Sequence, residues 1–318
     1  MTAHARTVRL TDLPILAFHS RRVYPNQAIT FEHGDASQRL RPNLRRLLRA
    51  CLLPRNERGI WISRDGGTLL GVAALRRRGG RSAWEIDALI TTVPNEAFLL
   101  DLLDRAVATA GADGAHRLFL RLPSDSAIVD PSLRHGFLAV AEETLYAAAQ
   151  PLPLQATVSG ARRRQRSDDH ALFRLYSQAV PQEVRWQTAL SPTEWRAALE
   201  PLGGGGEEWV LPAADGAGVE AFVRLCRSAS GARVSLLTEG QAPQAESGLA
   251  LALARAPKKR RFQVLLPEYA LAERRAAEMI GLEPVAQYLL LVRPIAQRAR
   301  RLQLAERKVE GSVRPVIQ

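Results

Sequence analysis

Residues 59–63 (GIWIS), a turn at Asp65–Gly66–Gly67, and residues 69–75 (LLGVAAL) read as a β-hairpin. Residues 84–90 (WEIDALI) follow the Gly79–Gly80 turn as a third strand spanning 83–90. Runs rich in Ile, Val, Leu and Trp carry the strands, and Asp-Gly and Gly-Gly supply the backbone freedom that tight reversals need. Upstream, residues 8–10 read as a short strand and Asp12 as the N-cap of a helix. Residues 39–53 (RLRPNLRRLLRACLL) place Leu44, Leu47, Leu48, Cys51 and Leu52 at three- and four-residue steps, an amphipathic helix. Downstream come a helix over 95–110 through Phe98, Leu99, Leu102, Leu103 and Ala106, then a strand at 117–123 (RLFLRLP). A short helix ending near Gly136 and a strand at 142–148 complete the unit.

The same order then returns. Arg166 and Asp169 are expected to match Arg9 and Asp12, and ALFRLYSQAV (171–180) the helix after them. EEWVL (207–211), a turn through 215–218 and VEAFVRLC (219–226) repeat the hairpin. RVSLLT (233–238) is the third strand, 245–256 the long helix, and RRFQVLLP (260–267) the counterpart of RLFLRLP. Trp61 and Trp209 lie 148 positions apart, Pro123 and Pro267 144, and Gly136 and Gly281 145. An offset so nearly constant across independent landmarks points to a duplicated globular unit, its period being too long for a solenoid. The Pro-rich stretch 150–154 and the polar run to Arg166 interrupt all periodicity. The expected organisation is an N-terminal domain 1–150, a linker 151–165, a C-terminal domain 166–295 and a basic tail 296–318.

A chain of 318 residues with 46% hydrophobic composition can fill two cores of this size. No apolar run approaches the roughly 20 residues that span a bilayer. MTAHARTVRL has no apolar core of a secretory signal, so a cytoplasmic location is expected. Cys51 and Cys226 sit in apolar patterns and read as small buried hydrophobes. The net charge of +12, mostly arginine, attracts polyanions, yet no helix-turn-helix, RRM or KH pattern accompanies it. Short basic clusters stand at 162–166, 258–261 and 298–301, and AQRARRLQLAERK (296–308) has the pattern of a basic amphipathic helix.

The succession of elements, with GTLLGVAALRR (67–77), WEIDALI, LRHGF (133–137) and MIGLEPV (279–285), resembles the GNAT superfamily of acyl-CoA-dependent N-acyltransferases. The likeness covers roughly 6–150 and 164–294. It implies an α/β (α+β) fold of two tandem copies of a mixed central sheet flanked by helices. It also implies acetyl-CoA or a related acyl-CoA as co-substrate, with a small-molecule or peptide amine as acceptor. The pyrophosphate would sit at the junction of the third strand and the long helix, where backbone N–H groups and the helix dipole favour anions.

The first-half junction, ITTVPNEAF (90–98), offers Thr92 and Asn95 but no glycine. The second, TEGQAPQAESGLA (238–250), offers Thr238, Gly240, Gln241, Gln244 and Gly248. Glu85 is the candidate general base, with Asp87 on the same strand face. The family's acid, a tyrosine four residues before the helix-ending glycine, is replaced by Ser132 and Ala277; Ser132 is the remaining polar candidate. His19, Tyr24 and His33 lie where an acceptor would be gathered, and Phe173, Tyr176 and Trp186 occupy the matching region of the second half. Three readings stand: an N-acetyltransferase or related N-acyltransferase, a catalytically inactive tandem GNAT that binds a ligand or partner, and a basic nucleic-acid- or ribosome-associated protein.

Overall fold

The hairpin forms as β2 (Arg58–Asp65) and β3 (Thr68–Arg77), and β4 (Ala83–Thr91) adds antiparallel to β3. The computed structural model describes residues 5–19, 26–32, 58–65, 68–92, 96–148, 160–213, 218–228, 231–257 and 261–296. The expected helix at 39–53, Asn95, Tyr24, His33, residues 150–159 of the boundary region and the tail beyond 296 lie outside the described residues.

Every residue of β4 from Ala83 to Ile90 is buried, because both faces of the sheet are covered. On one face, α2 (Glu96–Ala112) lays Leu99, Leu102, Leu103, Ala106 and Ala110 against Trp61, Ala73, Leu75, Trp84, Leu118 and Leu120. β5 (Arg117–Pro123) and α3 (Val129–Arg134) lead to Gly136, whose φ of +84° ends the helix in a left-handed turn; Gly281 repeats this at +86°. On the opposite face, α1 (Leu13–His19) sets Leu16 against Ile60, Ile62 and Val72.

The second half repeats the plan. β8 (Glu207–Pro212), β9 (Val219–Ser228) and β10 (Gly231–Thr238) form an antiparallel set, followed by α7 (Ala242–Arg255), β11 (Arg261–Pro267) and α8 (Leu271–Met279). Ahead of them, α4 (Asp169–Ala179), α5 (Gln182–Thr188) and α6 (Pro192–Ala198) stand between β7 (Arg162–Arg163) and β8. The start of each half differs from expectation by a small shift. The first strand is β1 at Arg6–Thr7, and Asp12 ends a 3₁₀ turn instead of capping α1. Its carboxylate accepts from the Arg9 N–H at 2.8 Å and pairs with Arg6; Asp168 accepts from the Gln165 N–H at 2.7 Å and pairs with Arg162. Asp12 therefore matches Asp168, and Arg9 matches Gln165, one residue before the expected Asp169 and Arg166. Both aspartates are held below the usual carboxylate range. Burial opposes this most at Asp12, where the Arg6 and Arg9 hydrogen bonds outweigh it, and the Arg162 hydrogen bond leads at Asp168.

The two central sheets are joined. The described strands form one 12-stranded sheet in the order β1-β2-β3-β4-β5-β12-β6-β11-β10-β9-β8-β7. β6 (Leu138–Ala148), which ends the first half, pairs with β11; β12 (Leu282–Pro294), which ends the second, pairs with β5. The halves thus exchange their last strands, which pair antiparallel with each other at the centre. A sheet edge exposes unpaired N–H and C=O groups, and the exchange covers β5 and β11 with partner strands. No helix among the described residues is long and apolar enough to cross a membrane.

Candidate functional site

Among the described residues each half holds one pair of adjacent parallel strands, and each pair parts. β4 and β5 are matched for three residues, Ala83–Arg117 to Glu85–Phe119; β10 and β11 are matched for five, Gly231–Arg261 to Ser235–Leu265. Beyond these points the strands diverge toward the long-helix junction. The two openings differ in what they contain.

The first is filled by the chain itself. The Gln27 N–H donates to the Leu89 carbonyl of β4 at 2.9 Å, and the Ile29 N–H donates to the Arg121 carbonyl of β5 at 2.8 Å. Asn26 fixes the entry: its Oδ1 accepts from Leu89 N at 2.8 Å and Ala28 N at 3.1 Å. Ala28, Ile29, Thr30 and Phe31 are all buried. The segment acts as a short strand surrogate, satisfying backbone groups that the parting leaves open. The Ile-Thr-Phe run favours extended backbone, but it is too short to be read as a strand from sequence.

Glu85 and Asp87 share a face of β4, and both are buried. Glu85 accepts from Arg76 Nε through Oε1 and from Arg78 Nε through Oε2, the latter at 2.9 Å. Arg78 also reaches Glu200 at 3.0 Å and stacks 3.9 Å from the Phe119 ring centre. Glu200 in turn accepts from Arg121 Nη2 at 2.6 Å and from the Phe31 N–H at 2.9 Å, while Arg121 also pairs with Glu143. The result is a buried chain of alternating charge across β3, β4, β5 and β6, with Glu200 joining the filling segment to it. Burial is the largest influence on both Glu85 and Glu200. At Glu200 the Arg121 and Arg78 guanidiniums outweigh it and hold the carboxyl well below its ordinary value. At Glu85 burial and the neighbouring Glu200 charge prevail over Arg78 and Arg76, and the value rises. Both Glu85 oxygens are committed to ion pairs. Ser132 is fully buried and its Oγ donates at 2.7 Å to the carbonyl of Ile128, the residue just ahead of α3. Thr92 continues the β3–β4 pairing, its N–H donating to the Leu70 carbonyl and its hydroxyl to that of Leu69.

The second opening leads into a cavity of about 230 Å³ beside the centre of the sheet. α4, α5 and α6 roof it, and an aromatic run walls it: Tyr176–Trp195 and Trp195–Phe222 ring centres lie 6.3 and 6.2 Å apart. Phe31, Phe119, Arg121 and Glu143 of the first half line its other side. Thr238 and Gly240 line it as well. The Thr238 N–H and hydroxyl both donate to Glu273 Oε1, at 3.2 and 2.5 Å, and the Gly240 N–H donates back to Thr238 Oγ1 at 3.2 Å. Gln241 immediately precedes α7, and Gln244 lies in its first turn with a buried, unpartnered Oε1. Gly248 lies inside α7 instead of in the junction loop. A Cβ there would come within 2.5 Å of Leu236 Cδ1, so the glycine sets the helix-to-sheet distance.

Tyr269 and Glu273 also line this cavity and were not singled out in the sequence. Counting back four residues from Gly281 reaches Ala277; one further turn of α8 reaches Glu273, and four residues before that is Tyr269. Burial above all, followed by the Glu143 charge, pushes the Tyr269 phenol upward, which makes it a weaker acid than an exposed tyrosine. Of the basic cluster at 162–166, Arg162, Arg163 and Arg164 pair with Asp168, Glu207 and Glu208. Among the described residues no group of three or more His, Cys, Asp or Glu side chains is placed to hold a metal ion.

No family model matches the sequence, and no curated protein matches it. Solved structures do. A GCN5-related N-acetyltransferase from Sphaerobacter thermophilus aligns over 92% of this chain and 95% of its own, at 14% identity and a TM-score of 0.53. A putative acetyltransferase from Pyrococcus horikoshii aligns over 92% and 90%, at 11% identity and a TM-score of 0.52. A tandem GNAT protein from the clavulanic acid biosynthesis pathway aligns over 93% and 100%, at 12% identity and a TM-score of 0.48. The paired partings, the long helices at their junctions and the first two of these likenesses together give the chain the fold of the GNAT N-acetyltransferases.

Proposed function

We propose that this chain is an N-acyltransferase with one working cleft, in its second half, which moves an acyl group from acetyl-CoA or a related thioester to an amine. The observation that carries this reading is the contrast between the two partings. The β10–β11 opening leads into a cavity of about 230 Å³, whereas the β4–β5 opening is occupied by residues 27–31. In this reading the thioester arm lies between β10 and β11. The first turn of α7 faces the pyrophosphate with the Ala242 and Gln244 N–H groups, Pro243 having none and those of Thr238 and Gly240, ahead of the helix, being spent internally. The protonated Tyr269 phenol supplies a proton to the departing sulfur. Glu85 then anchors Arg78 and Arg76 within the sheet, and Ser132 serves its own helix. Residues 1–150 and 166–295 are read as the two duplicated units, which support each other through the exchanged strands.

The commitment of Glu85 and Ser132 favours a second reading, a ligand-binding module without turnover. Calorimetry with acetyl-CoA, followed by thiol-release assays over a panel of primary amines, separates the two. Binding with release of CoA is expected. Binding without release from any amine supports the module, and no binding removes both.

A further inference from the structure

Glu273 is 3% exposed, and its two oxygens are treated differently. Oε1 receives both Thr238 donors, while Oε2 is buried with no hydrogen-bond partner. No cation among the described residues comes within ion-pair reach of it. A carboxylate this deeply buried and half satisfied carries a desolvation cost that a ligand donor would offset. The other ionised groups on the cavity wall are already neutralised. Arg121 is held by Glu143 and Glu200, Arg78 by Glu85 and Glu200, and Arg224 by Glu208 and the Glu200 carbonyl. The rest of the wall is largely apolar, aliphatic residues such as Val180, Leu199 and Leu237 standing beside the rings of Tyr176, Trp195 and Phe222, and ring faces attract a cation placed over them.

We propose that Glu273 Oε2 receives the acceptor, and that the acceptor is a primary ammonium on a short apolar or aromatic body. This rests on the acyltransferase reading for the chemistry but not for the binding. In the transfer, the ammonium gives one proton to Glu273 Oε2. The nitrogen lone pair attacks the thioester carbonyl carbon, the C–N bond forms and the C–S bond breaks. The sulfur takes the Tyr269 phenolic proton, the second nitrogen proton leaves to water, and water reprotonates Tyr269. The products are an amide and a thiol, and Glu273 releases its proton to solvent.

The test uses the full chain and two probes of one shape, phenethylamine and the uncharged phenethyl alcohol, with acetyl-CoA titrated separately. Wild type should bind the amine in preference to the alcohol. Glu273→Gln retains a carbonyl oxygen for Thr238; it should weaken amine binding about ten- to a hundredfold and leave acetyl-CoA affinity within about twofold, the change being local. Glu273→Asp should keep the preference for amine over alcohol. Equal amine binding by wild type and Glu273→Gln overturns the proposal, as does loss of the preference in both variants, which marks a structural role. Acetyl-CoA binding without amine binding overturns it while leaving the acyltransferase reading intact. Glu273-dependent amine binding without acetyl-CoA binding supports it and removes that reading.

Discussion

Replacing Glu200 with glutamine should cost more stability than any other single isosteric change in the central charge chain. Its carboxylate accepts from Arg121 Nη2 at 2.6 Å and Nη1 at 3.1 Å, from Arg78 at 3.0 Å and from the Phe31 N–H at 2.9 Å. All these donors converge on two oxygens. A glutamine leaves one oxygen and turns an NH₂ toward groups that are themselves donors. Arg121 keeps Glu143 and Arg78 keeps Glu85, but each guanidinium loses a buried counter-charge. Breaking a buried ion pair from one side costs about 3–5 kcal/mol, and urea unfolding of Glu200→Gln should show a loss of that size. The acid limb should change as well. Because the folded protein holds Glu200 below its ordinary value, its contribution is complete above the unfolded pKa of about 4.3 and is lost as pH falls through the folded value. Glu85 acts in the opposite sense, its raised value making ionisation costly as pH rises from about 4.3 toward that value. Glu200→Gln should therefore lose less stability than wild type on acidification. A variant within about 0.5 kcal/mol of wild type at pH 7, with an unchanged acid limb, would refute the account of the chain as an anchor.

Phe31→Ala should destabilise by about 3–5 kcal/mol, as expected for a fully buried phenylalanine, and a matching loss of hydrogen-exchange protection at Leu89 and Ile29 checks that the filling segment has loosened. Gly248→Val forces a branched side chain against Leu236 and should cost about 1–3 kcal/mol by overpacking; an unfolding midpoint equal to wild type would contradict the close approach of α7.

The strands and long helices were legible because hydrophobic alternation and turn residues are local signals. Gly136 and Gly281 marked the ends of α3 and α8 for the same reason. The exchange of β6 and β12 was not legible. Each has the alternation of a strand that could close its own half, and only spatial packing selects its partner. The junction residues divided along similar lines. Thr238 and Gly240 are legible as junction residues because the strand ends there, whereas Gly248 reads in sequence as a loop glycine and serves helix packing. Glu85 is legible as a carboxylate on the third strand. The Gly79–Gly80 turn brings Arg76 opposite it in register, yet the ion pair that commits it depends on side-chain direction. Tyr269 and Glu273 carry no local signal, since they lie eight and four residues before Ala277, the position the family gives to its tyrosine, and only the fold turns them to the cavity.

The most direct test of the central claim is a crystal structure of the full chain with acetyl-CoA. One molecule per chain, with its pantetheine arm between β10 and β11 and its thioester beside Tyr269, is the expected result. Acetyl-CoA lying between β4 and β5, with residues 27–31 displaced, would contradict the assignment of the working cleft to the second half.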